Sequence, residues 1–395
     1  MKKKLVIVSI ILLLLISTAI VITINKNNKK YVFSNGVMLA MTLTDINGNT
    51  KNILDFPNDK SYQVDVDCGE NARGRWFGKE WKLVLENIKG NVACNVNFYE
   101  RKDSDKLNNV VKNAGVCSDA NYFSKDKCES NDGTWTVTIN NINGYRYSGE
   151  DPNNYVWFNN ELWRIIGLIP TCIKASDGVC SERIELVKII RNESIGAFPT
   201  ESVSWEESLM YSLLNNSYYG RQNVTGTDSC YGVGSSKSKC DYSNIGISNS
   251  NTDYYNQMLK SVYWNIGNIS INDLPDAIYE NEIATVTNSV SNIGLVSVSD
   301  YGYAPQLSDY NYAVSYYNNR VTTETNWLYS KGSLRTYFSW INSSNTFYLY
   351  VDVSGAVANS QSSIPSLVRP VVHLSEDIYV ISGKGTYSDP YMIGF

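Results

Sequence analysis

Tyr155-Val156-Trp157-Phe158-Asn159-Asn160-Glu161-Leu162-Trp163-Arg164-Ile165-Ile166-Gly167-Leu168-Ile169 is the stretch that decides the fold. Two runs rich in aromatic and β-branched residues flank a pair of asparagines. Such runs favour strands, and paired asparagines favour a tight turn. The reading is a β-hairpin, and Ile184 to Ile190 reads as a further strand.

Working outward, Ser204-Trp205-Glu206-Glu207 has the spacing of a capping box. It predicts a helix with Trp205, Leu209, Leu213 and Leu214 on one face. A second helix is expected over 253–264, with Tyr255, Met258, Leu259 and Val262 inward. Short strands are expected at Gly294–Val298, Phe347–Val351 and Leu367–Leu374. Upstream, Tyr62-Gln63-Val64-Asp65-Val66 alternates cleanly, and Trp81–Leu85 and Ala93–Phe98 follow it as strands. Asn47-Gly48 is a hairpin dipeptide. Five domains are expected: a cytoplasmic tip and anchor over 1–30, a small β domain over 31–100, a connector with a Cys-stapled loop over 101–144, a large domain over 145–375, and a β tail over 376–395.

The chain opens with three lysines and continues in an uncharged apolar run from Leu5 to Ile24. As a helix, such a run matches the roughly 30 Å of a bilayer core. The expectation is a signal-anchor helix contacting the lipid bilayer through residues 5–24. Cleavage near Ser17-Thr18-Ala19 is the other reading.

All eight cysteines follow that run: Cys68, Cys94, Cys117, Cys128, Cys172, Cys180, Cys230 and Cys240. None forms C-x-x-C, and the single histidine cannot supply a His-containing zinc cluster. An even number in close neighbours suits disulfides outside the cytosol. Pairing neighbours predicts 68–94, 117–128, 172–180 and 230–240. Together these readings place the protein at the cell membrane as a single-pass protein, with its later domains extracellular.

The first 30 residues carry six lysines and no acid, so the 28 basic and 39 acidic residues beyond them leave a net charge of −11. That balance argues against nucleic acid as a partner. No cofactor is implied. His373 is the only possible base for a Ser/His or Cys/His pair, but it lies in an apolar strand and reads as structural. Asp300 and Asp352 are available carboxylates, although no spacing sets them face to face. Gly383-Lys384-Gly385 reads as a turn, and Arg369 as a fold-holding residue paired to Asp300. No calcium-loop pattern is present.

The stretch Asn153–Gly167, with Trp205…Leu214-Asn215, Gly294–Tyr301, Asn326-Trp327-Leu328, Val353–Val357, Val368-Arg369-Pro370-Val371-Val372 and Gly383–Tyr391, resembles an uncharacterised C-type-lectin-like surface domain family of low-GC Gram-positive bacteria. The resemblance covers about residues 143–395. It implies an α+β fold: a C-type-lectin-like C-terminal domain, preceded by a small all-β, sandwich-like domain and an N-terminal transmembrane helix. In such a fold Leu162–Ile169 would pair near Val368–Leu374, and the late loops would form the ligand face. Those loops are rich in tyrosine, which offers wide amphipathic contact at small entropic cost. Tyr310, Tyr312, Tyr316, Tyr317, Trp327 and Tyr329 are therefore the expected ligand-binding residues, with core packing as the competing role.

The leading expectation is a non-enzymatic binding or adhesion module for a glycan or protein. A carboxylate-based envelope hydrolase, a self-associating envelope component and a sequence-diversified receptor stay open. The formylglycine-type oxidase chemistry known on lectin-like folds needs late cysteines, and none follows Cys240.

Overall fold

The computed structural model describes residues 21–24, 29–32, 39–44, 62–77, 82–118, 128–198, 205–224, 240–317, 325–329, 336–338, 348–360 and 366–395. The chain divides into two compact units, Met1–Lys102 and Asp103–Phe395.

In the first unit, Val92–Glu100 is the centre of a three-stranded sheet. Leu39–Thr44 runs parallel to it on one side and Tyr62–Asp67 antiparallel on the other. Arg73–Phe77 and Lys82–Glu86 form a hairpin. Val92 and Val96 are buried, and the expected disulfide Cys68–Cys94 ties the Tyr62–Asp67 end to the central strand.

Val21–Ile24 is an antiparallel strand pairing with Lys29–Val32, Val21 opposite Val32. This corrects the expected transmembrane helix over 5–24, whose last turn it occupies; residues 5–20 lie outside those described. No helix among the described residues is long and apolar enough to cross a membrane. The single-pass placement at a membrane therefore falls with the helix. The physical reason is local: Val21, Ile22, Thr23 and Ile24 are all β-branched, and such side chains lose χ1 freedom in a helix but fit a pleated strand. An apolar run does not by itself choose between the two.

The second unit is built on the predicted hairpin. Tyr155–Phe158 pairs with the start of Glu161–Ser176 across Asn159 and Asn160, both in the left-handed region at φ 53° and 62°. Two such residues make the type I′ geometry that matches strand twist. Glu161–Ser176 then pairs along its length with Val179–Arg191. Their turn, Asp177-Gly178, also has positive φ at both residues, and Cys172–Cys180 cross-links that end of the ribbon.

The sheet continues from Val179–Arg191 to Val371–His373 and on to Ile293–Gly294. On its other side Tyr155–Phe158 pairs in parallel with Tyr391–Gly394, which carries Tyr379–Ser382. The C-terminal tail is thus part of the main sheet. So is the end of the connector, where Asn140–Asn141 pairs with Tyr145–Arg146, which pairs in turn with Gly167 and Leu168.

A five-stranded second sheet orders Ala197–Phe198, Ser366–Leu367, Thr336–Phe338, Tyr348–Val351 and Val357–Ser360. Residues Trp163 to Ile169 are buried without alternation, as expected of a strand covered on both faces. On one face the helix Leu107–Lys112 seats Leu107 and Val111, and Lys112 meets Glu185 at 2.6 Å. Strand alternation turns Lys188 to the other face.

The architecture is mostly sheet, which corrects the expected α+β, lectin-like class. Among the described residues helix is confined to short pieces, and the expected long helices shrink. Ser204 lies outside the described residues. The N-cap is Ser208, whose hydroxyl oxygen accepts the Tyr211 N–H at 3.0 Å. Leu209–Ser212 then widens into a π-helical turn, Leu213–Tyr218. Asp253 caps one turn only, Tyr254–Gln257. Beyond it Leu259, Val262, Tyr263 and Asn265 form β-bridges, so tertiary pairing outweighs the helical period. Val371–His373 pairs with 188–190 rather than with Leu162–Ile169, one strand further out than expected. Val298 starts a helix, Val298–Gly302, where a strand was expected.

Candidate functional site

The helices Pro275–Glu282 and Val298–Gly302 pack beside the sheet face that carries Lys188 and Arg146. They assemble a group of buried charges. Lys188 Nζ lies 2.5 Å from Asp300 Oδ2 and 3.0 Å from Ser297 Oγ. Arg146 Nη1 donates to Asp300 Oδ1 at 2.5 Å. The Ser297 N–H donates to Asp300 Oδ2 at 3.2 Å, holding the carboxylate at the start of its helix. Glu282 accepts the Ser299 N–H at 3.2 Å and also the Ser299 hydroxyl. Arg146, Lys188, Glu282 and Asp300 are each no more than 4% exposed.

Burial alone would raise the Asp300 carboxyl, but Lys188 and Arg146 overrule it and hold the group well below the usual carboxylate range. Glu282 has no such cation in contact. Burial pushes it up to about 7, with the Asp300 charge adding to the rise and the Ser299 hydroxyl opposing it. The His373 ring lies 4.9 Å from that of Trp264, tilted against it, and burial followed by the Lys188 charge keeps it well below its ordinary value, so it is neutral. Its Nδ1 makes no hydrogen bond. The centre approaches the surface through Tyr303. The Tyr303 hydroxyl donates to the exposed Asp276 and accepts from Asn143 Nδ2 at 3.0 Å, and its ring lies 5.0 Å from the Arg146 guanidinium.

A second cationic post stands on the hairpin. The Arg164 guanidinium lies between the rings of Tyr155 at 4.1 Å and Trp327 at 4.6 Å. Its Nε donates to Asn154 Oδ1 at 2.8 Å, and Nη2 donates to Asp151 Oδ1 at 2.8 Å. Arg369 corrects the expected pairing with Asp300. It donates instead to the Arg191 and Leu328 carbonyls, and burial with the neighbouring Arg164 charge brings it down to about 9. Asp352 turns its carboxylate back on Ser354 and Ala356 and shares no hydrogen-bond partner with Asp300.

The tyrosine-rich segment is sorted by the fold. Tyr317 is 0% exposed and donates its hydroxyl to the Gly302 carbonyl at 2.7 Å. Trp327 is buried, and its indole N–H donates to the Tyr147 carbonyl at 2.9 Å. Tyr310 is half-buried and donates to the Tyr303 carbonyl at 2.6 Å. Tyr329 is half-buried and donates to the Val353 carbonyl at 2.8 Å. Tyr312 and Tyr316 face solvent, 38% and 66% exposed. The six do not form one open patch. Four are held by hydrogen bonds to backbone carbonyls, and Tyr312 and Tyr316 are exposed, as is Leu307.

Cys68–Cys94 and Cys172–Cys180 are disulfides, as pairing of neighbours predicts. Cys128 is also disulfide-bonded. The side chains of Cys117, Cys230 and Cys240 lie outside the described residues. Among the described residues no group of three or more His, Cys, Asp or Glu is placed to hold a metal ion.

Sequence reasoning missed Arg146, Lys188, Glu282 and Arg164. The available signal was a charge inside an apolar run, as in Leu186-Val187-Lys188-Ile189-Ile190 and Leu162-Trp163-Arg164-Ile165. A strand buried on both faces carries a charge only where a partner waits. No family model, no curated protein and no solved structure matches this chain.

Proposed function

We propose that this protein is a non-enzymatic binding module that works in an oxidising compartment and takes a glycan on the segment 306–317. One observation carries the reading: the segment is pinned from below and open above. Tyr310 and Tyr317 are fastened to the Tyr303 and Gly302 carbonyls, while Tyr312 and Tyr316 project into solvent. A segment whose backbone is held before binding loses little entropy on contact. The same segment carries amide and hydroxyl groups: Gln306, Ser308 and Asn311 are exposed, and Ser315 Oγ donates to Asn272 Oδ1 at 3.0 Å. Exposed aromatic rings in a segment with exposed neutral hydrogen-bonding groups suit an uncharged sugar. The disulfides support an oxidising compartment.

The test is titration of the purified chain over a broad glycan panel. Saturable binding should weaken at least about tenfold in Tyr316→Ala, the loss of roughly 1.4 kcal/mol expected of one aromatic contact. No binding across the panel, or equal binding by the variant, refutes the reading.

A further inference from the structure

We propose that Lys188 and Asp300 condense within the folded chain, joining the lysine amine to the aspartate carbonyl carbon as an amide cross-link with loss of one water. This inference is independent of the glycan reading.

The reacting groups are already in contact, with Nζ 2.5 Å from Oδ2, and both are held on ordered elements. Lys188 lies in a strand hydrogen-bonded on both sides, to Glu161–Ser176 and to Val371–His373. Asp300 lies in the first turn of Val298–Gly302, its carboxylate fixed by the Ser297 N–H. Held groups react at effective concentrations far above those free in solution. The two side chains are 5% and 1% exposed, so bulk water neither competes for the carbonyl carbon nor reverses the step readily.

The step balances without another reactant. The ammonium passes one proton to Oδ2, leaving a neutral amine beside a neutral acid. The amine adds to the carbonyl carbon, and negative charge gathers on Oδ1, where Arg146 Nη1 donates at 2.5 Å. A second proton moves from nitrogen to Oδ2, which leaves as water, and one hydrogen stays on the amide nitrogen. Ser297 Oγ, 3.0 Å from Nζ, can relay that proton.

The chemistry also removes an unfavourable arrangement. A buried ion pair retains much of its desolvation cost, and a neutral amide does not. Arg146 and Glu282 would remain as one cation and one carboxyl.

The experiment is intact-mass spectrometry of the purified full chain after its disulfides are reduced. The expected mass is one water below that of the reduced sequence. Proteolysis and tandem sequencing should return one branched peptide joining the Lys188 and Asp300 segments. Lys188→Arg keeps a cation on Asp300 but offers no free amine, so it should show the full mass while remaining folded by circular dichroism. A wild-type chain of full mass after prolonged incubation overturns the proposal. So does a missing water that persists in Lys188→Arg.

Discussion

Arg164→Lys separates two accounts of what holds the hairpin to its surroundings. In one account the ion pair with Asp151 matters; in the other, the two rings and Asn154 do. Asp151 is 60% exposed at its side chain, and an exposed pair contributes about 0–1 kcal/mol. The rings of Tyr155 and Trp327 sit at 4.1 Å and 4.6 Å on the guanidinium of a residue that is only 6% exposed. Each desolvated cation–π contact is worth about 0.5–2 kcal/mol. Asn154 is fully buried, and its Oδ1 accepts from Arg164 Nε. A lysine cannot fill both ring faces and that bond together. Leaving Asn154 Oδ1 without a partner costs about 1–3 kcal/mol. Arg164→Lys should therefore destabilise the 103–395 unit by about 2–4 kcal/mol, and Asp151→Asn by less than about 1 kcal/mol. Denaturant titration of the full chain, followed by tryptophan fluorescence, measures both. Equal losses, or a loss below about 1 kcal/mol for the lysine variant, would refute the ring-stack account.

Two further outcomes are expected. Glu282 has its folded-state pKa raised to about 7 from an ordinary 4.5, burial being the largest cause, so the folded chain holds that proton more tightly than the unfolded one. The stability it contributes, about 3 kcal/mol at full effect, is present below pH 4.5 and is lost as pH rises through about 7. Glu282→Gln should flatten that part of the stability–pH profile, and parallel profiles would show that Glu282 does not carry it. Gly294→Ala should cost about 1–3 kcal/mol, because its Cβ would meet the Trp264 ring at 2.5 Å beneath the pairing with Val371. An unchanged melting temperature would mean the ring gives way.

The binding segment shows how far a sequence pattern reaches. Six aromatic residues between 310 and 329 were legible as a cluster, but not which of them point outward. Tyr316 and Tyr317 are neighbours in the chain, yet one is 66% exposed and the other 0%. The difference is set by Gly302, whose carbonyl lies within reach of the Tyr317 hydroxyl. The charged centre was less legible still. Lys188 and Asp300 are separated by 112 residues, and nothing local to either names its partner.

The sequence by itself determined the central hairpin, because Asn159-Asn160 between two aromatic and β-branched runs satisfies turn and strand preferences within fifteen residues. It also determined the Cys68–Cys94 and Cys172–Cys180 links, since each joins cysteines that are neighbours in the sequence. Only the tertiary structure decided the rest. Val21–Ile24 became strand where a helix was expected, and the turn capped by Asp253 stopped after Gln257 as the following residues bridged to distant strands. Local preference between helix and strand is worth tenths of a kilocalorie per residue, and pairing with distant segments outweighs it. Charges inside apolar runs likewise found their places only when folding brought their partners to them.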